Sequence, residues 1–485
     1  MSAGVQPGNA PRTATVLAFD FGASSGRAIL AAYKDGALTC REVHRFENSP
    51  RMADGHFCWD IRTLLAEVKN GIAKAGEFDS LGFDTWGVDF GLLDAQGNLL
   101  GDPVHYRDAR TEGMVAEALA KMDANELYKE TGNQIMSLNT LFQLLALQKQ
   151  DPAQLAKAKT LLFMPDLFRY LLGGPAVCEE SIASTSQMLD PNTGRWNSTV
   201  LDTFGIPASL LPAPVPSGTI AGQLGQAKLV AVAGHDTQCA VAAVPAKTPH
   251  PAFLSCGTWS LLGTELDAPV LTAASGSLGL SNERGANGKV NYLKNIIGLW
   301  LIQESRRAWR KAGQEYGFGE LEAMALAAKP LQSFIDPDAP EFTPPGDMPG
   351  RVQAYCRRTG QPVPGTVGEI TRCIYESLAL KYRYAVEQLG TVTGRPFDTL
   401  HIVGGGAQAK LLCQMSANST GLPVVAGPVE ATALGNILIQ LVALGVLPNL
   451  DAGRELVEKS EPLHRYLPAD AADWNQAYER FKKLL

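Results

Sequence analysis

The sequence contains no long apolar run. A membrane-spanning helix needs about 18 or more consecutive apolar residues. The nearest approach, NILIQLVALGVL, is broken by Asn436 and Gln440 and reads as a helix of a protein core. An excess of positive charge is also missing. The chain carries 42 Lys and Arg against 49 Asp and Glu, a net charge of −7, with no run of five or six like charges. That balance argues against a nucleic-acid surface, which needs a basic stripe. Cysteine is sparse: Cys40, Cys58, Cys178, Cys239, Cys256, Cys356, Cys373 and Cys413, none in a C-x-x-C pair. This excludes a disulfide-built scaffold and points to free thiols, mostly in cores. Only Cys356 and Cys373 bracket a Pro/Gly-containing segment short enough to suggest a pair. The seven histidines do not cluster at metal spacing. Also missing are G-x-x-x-x-G-K-[ST], H-E-x-x-H and G-x-S-x-G, and the DFG at Asp20–Gly22 has no H-R-D partner. P-loop ATPases, zinc peptidases, serine hydrolases and protein kinases are therefore excluded. The N-terminus, MSAGVQPGNAPRTA, lacks the apolar centre of a signal peptide. Residues 1–13 read as a loose tail, and a cytoplasmic location is expected.

What is present is enough apolar residue for ordinary cores, 45% of 485 residues. One core stops growing at roughly 250–300 residues, so two domains are expected. The opening TATVLAFDFGASSGRAILAAY reads as strand, Gly/Ser turn, strand, with a third strand over Arg41–Phe46. IRTLLAEVKNGIAKAG has helical periodicity, and SLGFDTWGVDFGLL reads as two short strands around Gly87. Further helices are expected over Thr111–Lys121, Asn139–Gln150 and Asp166–Leu172. The Pro/Gly-rich stretch 205–227 reads as a surface connection. AFLSCGTWSLLGTEL then repeats strand, glycine turn, strand, with Ser255-Cys256-Gly257 echoing Asp20-Phe21-Gly22, which suggests an internal duplication divided near Pro245–Pro251. After it come a long helix from Ile296, a helix over Gly368–Leu389, two strand–loop–helix units and a last helix over Ala472–Leu484. The class is α/β.

Five pieces could carry chemistry. Asp20 ends a strand before a turn whose N–H groups and hydroxyls suit phosphate oxygens, and a carboxylate there suits Mg²⁺ held through water. The plain alternative is a hairpin with a hydrogen-bonding Asp. GTWS (Gly257–Ser260) is weak alone, but as an echo of the first turn it would give a second phosphate contact through Thr258. VGGGAQA (Val403–Ala409) matches G-x-G-x-x-A between strand and helix, the dinucleotide fingerprint. The required acidic residue is missing, because the next strand ends in Ala426-Gly427-Pro428 and Glu430 stands where it would cap a helix. A turn against which an adenosine packs explains the loop equally well. GFDTWGVDF offers Asp84, Trp86, Gly87 and Asp89 as a sugar platform, against the alternative of a hairpin with a buried Trp. GHDT places Asp236 at a helix start beside His235. There it either caps the helix or accepts the proton of a substrate hydroxyl, kept ionised by the helix N-terminus.

In this order, the stretches DFGASSGR, DTWGVDFGLLD, YRDART, NTLFQL, GHDT, SCGTWSL, KNIIGLWLIQ and HIVGGGAQ resemble the FGGY family of carbohydrate kinases, over about Ala14 to Gly445. The resemblance implies two ribonuclease-H-like, actin-like α/β domains around a central catalytic cleft. It places an N-terminal domain at 14–247, a C-terminal domain at 248–450 and a helical segment at 451–485. It implies an ATP-dependent kinase using Mg²⁺. DTWGVDF and KNIIGLWL are similar to members acting on L-rhamnulose in L-rhamnose catabolism. L-fuculose or a pentulose is the nearest alternative. A non-enzymatic actin-like nucleotide-binding protein and an NAD-dependent oxidoreductase are the alternatives from other classes.

By the same resemblance, Ala23, Ser24, Ser25, Gly26, Arg27 and Thr258 match phosphate-loop positions, and Gln303 and Gly405 match nucleotide-binding positions. Gly87, His235, Asp236, Thr237 and Asn295 match sugar-binding positions, joined by Asp84 and Trp86 of the platform. Asp236 matches the base and Asp20 the Asp facing the metal. Cys356 and Cys373 match a pair disulfide-bonded in relatives, a bond not favoured in a cytoplasmic protein. The implied partners are a small sugar and ATP, with no nucleic acid and no membrane, in a monomer or small homo-oligomer.

Overall fold

The computed structural model describes residues 13–22 and 24–485. Of the tail expected at 1–13, residues 1–12 lie outside them, as does the loop residue Ala23, while Thr13 already begins the first strand. The chain folds as two units. The first comprises Met1–Pro245, Glu265–Tyr292 and Ala431–Ser460, and the second Ala246–Thr264, Leu293–Glu430 and Glu461–Leu485.

In the first unit, the β-branched and apolar run Thr13–Phe21 forms the middle of a sheet. It pairs antiparallel with Ser25–Lys34, which pairs antiparallel with Ala37–Glu47. On its other side it pairs parallel with Ser80–Asp84, which pairs parallel with Ala227–Ala231. Thr219–Leu224 closes that edge. The expected surface connection at 205–227 therefore supplies an edge strand. Parallel central strands are buried on both faces, and here Ser80–Asp84 is buried at every position. Helix Ile61–Ala75, capped by Asp60, packs on the meander and buries Leu64, Val68 and Gly71.

Helix Ala431–Ala443 packs on Thr13–Phe21 and Ser80–Asp84 of the same unit. Its two buried amides are both satisfied there. Asn436 Nδ2 donates to Asp84 Oδ2 at 2.7 Å, and Gln440 takes the Ser80 hydroxyl at 2.7 Å and donates to the Leu17 carbonyl at 3.0 Å. NILIQLVALGVL is thus a core helix with polar groups aimed at strand ends, where a buried amide must find partners.

The second unit repeats the order and sense. Pro251–Cys256 pairs antiparallel with Trp259–Leu266 and parallel with Thr399–Val403, which pairs parallel with Val424–Ala426. Strand Val290–Ile297 follows Trp259–Leu266 on the meander side. The echo between Asp20-Phe21-Gly22 and Ser255-Cys256-Gly257 thus falls at equivalent strand ends. The longest helix, Val367–Thr393, starts with a capping box of Thr366 and Glu369.

Three expectations are corrected. The helix expected from Ile296 begins at Trp300, because Val290, Ile296 and Ile297 favour strand and Gly298 ends it. Residues 451–485 are not a separate helical segment. Leu450–Ser460 packs on Ala431–Ala443, and His464–Tyr466 is a strand paired antiparallel with Val424–Ala426. The segments at 265–292 and 431–460 return to the first unit, so a single linear cut does not describe the folding units.

Among the described residues no cysteine is in a disulfide, and Cys356 and Cys373 are buried and hydrogen-bonded to each other. Among the described residues no helix is long and apolar enough to cross a membrane.

Candidate functional site

Strand register fixes the first cluster. Asp20, at the end of Thr13–Phe21, lies opposite Arg27 on one neighbouring strand and Asp84 on the other. Residues in register share a face. Arg27 donates through Nε and Nη2 to Asp20 Oδ2 at 3.0 and 2.7 Å. Arg27, matched to a phosphate-loop position, clamps Asp20.

The turn itself is held by Asn48, which the sequence did not single out. Its Nδ2 donates to the Gly22 carbonyl at 2.9 Å and its backbone N–H to the Ser24 carbonyl at 3.1 Å. The Gly22 N–H donates to the Ser25 carbonyl at 2.9 Å. Gly26 answers to packing, since a Cβ there would strike the Phe46 ring.

Asp84 is fully buried. Burial, then the Asp20 and Asp236 carboxylates, push its carboxyl well above the usual range, while Asn436 pulls it back. Its Oδ1 has no hydrogen-bond partner. An orphaned buried oxygen beside a second carboxylate is what a cation would satisfy. Among the described residues no group of three ligands stands ready to hold a metal directly. Two neighbouring carboxylates are a donor set of the hard-oxygen kind that suits Mg²⁺, which keeps most of its own waters.

Next along the chain, Thr85 joins the platform to the GHDT turn. The Thr85 N–H donates to the Gly234 carbonyl at 2.9 Å, and the Asp236 N–H donates to the Thr85 carbonyl at 2.8 Å. Asp84, Trp86, His235 and Asp236 are thereby brought together, although they are far apart in sequence. Asp236 is the first residue of helix Asp236–Ala242, and its Oδ1 accepts the Thr237 N–H at 2.6 Å. Burial works against the helix start expected to keep Asp236 ionised. Burial pushes its carboxyl up to about 6, with Asp20 adding to the rise and His235 opposing it. Asp236 still keeps 32% of its side chain exposed, against 10% for Asp20, so it can meet a substrate.

The platform is built differently from the sequence reading. Asp89 is fully buried and accepts from Trp59 Nε1 (2.7 Å), Trp86 Nε1 (3.0 Å), the Tyr106 N–H (3.1 Å) and Gln143 Nε2 (3.0 Å). It is the anchor of two indoles, whose rings lie 3.9 Å apart, rather than a sugar ligand. Next to Gly87, Val88 adopts a left-handed φ of 68°, unusual for a β-branched residue. It is held there by the Thr185 hydroxyl at its N–H and by the Thr140 hydroxyl at its carbonyl. Trp86→Phe keeps one aromatic ring and loses one charge-assisted bond and part of the packing on Trp59. It is expected to lower stability by about 1–2 kcal/mol in a denaturant titration.

In the second unit, Thr258 and Gln303 are brought into contact, Thr258 Oγ1 donating to Gln303 Oε1 at 3.2 Å. The helix Trp300–Lys311 that carries Gln303 starts against the same turn, with the Trp300 N–H on the Thr258 carbonyl. The VGGGAQA loop packs on this turn's strand, since a Cβ at Gly406 would strike Cys256 Sγ. Space beside Gly405 is open. Close packing therefore accounts for the glycine pattern without a dinucleotide. Asn295 lies on Val290–Ile297 and is half-buried. The expected site residues thus divide between the units, the sugar and base group on the first and Thr258, Asn295, Gln303 and Gly405 on the second.

Two family models match the chain. Residues 15–245 match the N-terminal domain of the FGGY family of carbohydrate kinases, and residues 252–444 match its C-terminal domain. The chain belongs to the FGGY family of carbohydrate kinases. Among its FGGY relatives are rhamnulokinases from Bacteroides thetaiotaomicron (43% identical, 96% of this chain and 98% of that one) and Enterococcus faecalis (41%, 97% of each). Another is the rhamnulokinase of Klebsiella pneumoniae (42%, 93% of this chain and 94% of that one). The fold of this FGGY kinase is also that of gluconate kinase from Lactobacillus acidophilus, with a TM-score of 0.79, 16% identity and 97% of each chain covered. Plasmodium falciparum glycerol kinase with ADP matches with a TM-score of 0.75, 17% identity, and 96% of this chain and 98% of that one covered. As a sugar kinase, an FGGY kinase uses ATP. Membership removes the NAD-dependent oxidoreductase reading of the glycine loop.

Proposed function

We propose that this FGGY kinase transfers the γ-phosphoryl group of ATP to the 1-hydroxyl of L-rhamnulose, as a cytoplasmic step of L-rhamnose catabolism. The sugar assignment is supported by relatives named rhamnulokinase at 41–43% identity over nearly the whole chain. The observation that carries the mechanism is the backbone bridge between Thr85 and the GHDT turn. It sets a part-exposed carboxylate with a pKa of about 6 beside the Trp86–Gly87 platform.

In this mechanism His235, Thr237, Trp86 and Gly87 of the first unit orient the sugar, and Asn295 is a sugar-binding position of the second. Asp236 accepts the hydroxyl proton as the oxygen attacks the phosphorus in line. A weak base suffices, because positioning dominates phosphoryl transfer. Ser24 and Ser25 of the first unit give donors to phosphate oxygens, and Thr258, Gln303 and Gly405 of the second serve the nucleotide. Asp20, clamped by Arg27, and Asp84 would hold hydrated Mg²⁺, which when bound neutralises charge on the phosphoryl oxygens.

ADP release measured across ketoses tests the assignment. L-rhamnulose is expected to give the highest kcat/KM. A higher value with L-fuculose or a pentulose would overturn the sugar assignment and leave the kinase class standing.

A further inference from the structure

Glu283 lies on the short strand Ser281–Arg284, in the segment that returns to the first unit, 48 residues beyond His235. It is 5% exposed. One oxygen, Oε2, serves two partners, His235 Nδ1 at 2.9 Å and Gln238 Nε2 at 2.6 Å. Gln238 is itself fixed, its Oε1 accepting from Asn291 Nδ2. On the other side of the imidazole, His235 Nε2 stands 3.4 Å from Asp236 Oδ1. A single buried ring therefore lies between Glu283, to which it is hydrogen-bonded, and the carboxylate proposed as base, which it meets at ion-pair distance.

Standing between two carboxylates decides the protonation. With Nδ1–H on Glu283, a neutral ring would turn a lone pair toward Asp236, and a protonated ring turns an N–H toward it. The charged groups facing the ring are Glu283, Asp236 and Glu179. Burial opposes charge on the ring, and the three carboxylates outweigh it, raising the His235 pKa. Glu179 also holds the turn, accepting the Gly234 N–H at 2.9 Å and the Ser181 hydroxyl at 2.6 Å. Asp20 also acts on Asp236, raising its pKa.

We propose that Glu283 is a positioning residue for phosphoryl transfer: its carboxylate holds His235 with Nε2–H turned to Asp236, fixing both the base and the sugar-facing imidazole. Glu283 touches neither sugar nor nucleotide in this role. The inference rests on the sugar-kinase reading above.

Glu283→Gln in the full chain keeps the volume and one acceptor while removing the charge. It is expected to lower kcat/KM for L-rhamnulose about ten- to a hundredfold, the scale of a misplaced reacting group. The KM for ATP should stay within about twofold. In ¹⁵N spectra the His235 ring should lose its proton at a lower pH than in the unsubstituted enzyme. Glu283→Asp, which restores the charge, is expected to recover part of the loss. Unchanged sugar kinetics in E283Q would overturn the proposal, and so would a KM for ATP that rises as much as the KM for the sugar. Should the unsubstituted enzyme not turn over L-rhamnulose, the sugar assignment falls, and the His235 titration still decides whether Glu283 governs the ring.

Discussion

Asp236→Asn is expected to lower kcat by about 10³–10⁴-fold while ATP still binds, the upper range for loss of a general base. Asn fills the same space beside His235, so the sugar should still bind and the loss should appear in kcat rather than in KM. The substitution also has a stability signature of opposite sign. The folded-state pKa of Asp236 is raised to about 6 from the ordinary value of 3.8. Folding thus favours the protonated acid, and ionisation costs stability. That cost is absent below the unfolded pKa and is fully present once pH has risen through about 6. The amide of the D236N variant carries no charge at any pH. The variant is therefore expected to be the more stable protein above about pH 7, by about 1 kcal/mol after allowing for the 32% of the side chain that meets solvent. The gap should close in acid. Turnover, nucleotide binding by calorimetry and denaturation at two pH values read all three effects. Transfer within tenfold of the unsubstituted enzyme would remove Asp236 from the base role.

What the sequence made legible was local. The Gly/Ser turn after Asp20, the Gly257 turn and the glycine loop at Val403 each sit between elements whose type their flanks announce. They appear where expected, at the ends of Thr13–Phe21, Pro251–Cys256 and Thr399–Val403. The repeat of strand, turn, strand was enough to suggest the duplication that the matching sheet orders display. What stayed hidden depends on residues remote in sequence. Nothing near Asp84 signals that Asn436 bonds it, and nothing near His235 signals Glu283. The family resemblance matches Arg27 to a phosphate loop, and strand register sets it against Asp20. The acidity of Asp236 is only partly legible in the sequence for the same reason. A helix start is visible there, and the burial that outweighs it is not.

That remote packing supplies the second large effect. Gly435 lies in Ala431–Ala443 where this helix crosses Asp236–Ala242, and a Cβ there would overlap the Cys239 carbonyl oxygen and stand 2.5 Å from its carbon. The obstacle is helix backbone, which cannot rotate away as a side-chain tip can. Gly435→Ala must therefore drive the two helices apart. Doing so pulls Asn436 from Asp84 and Gln440 from Ser80 and the Leu17 carbonyl, leaving buried polar groups unpaired. The expected cost is about 4 kcal/mol or more, overpacking and lost hydrogen bonds together. Because the displaced helix begins at Asp236, kcat should fall in whatever protein remains folded. Gly319→Ala is the matched control. It too is a helical glycine, in Phe318–Ala327, but it is exposed, with nothing within 4 Å of an added Cβ. There the substitution only removes backbone freedom from the unfolded chain and is expected to stabilise by about 0.5–1 kcal/mol. Denaturant titrations of the two variants should move in opposite directions. A Gly435→Ala protein as stable as its parent would mean that the two helices do not approach as closely as the Cys239 contact requires.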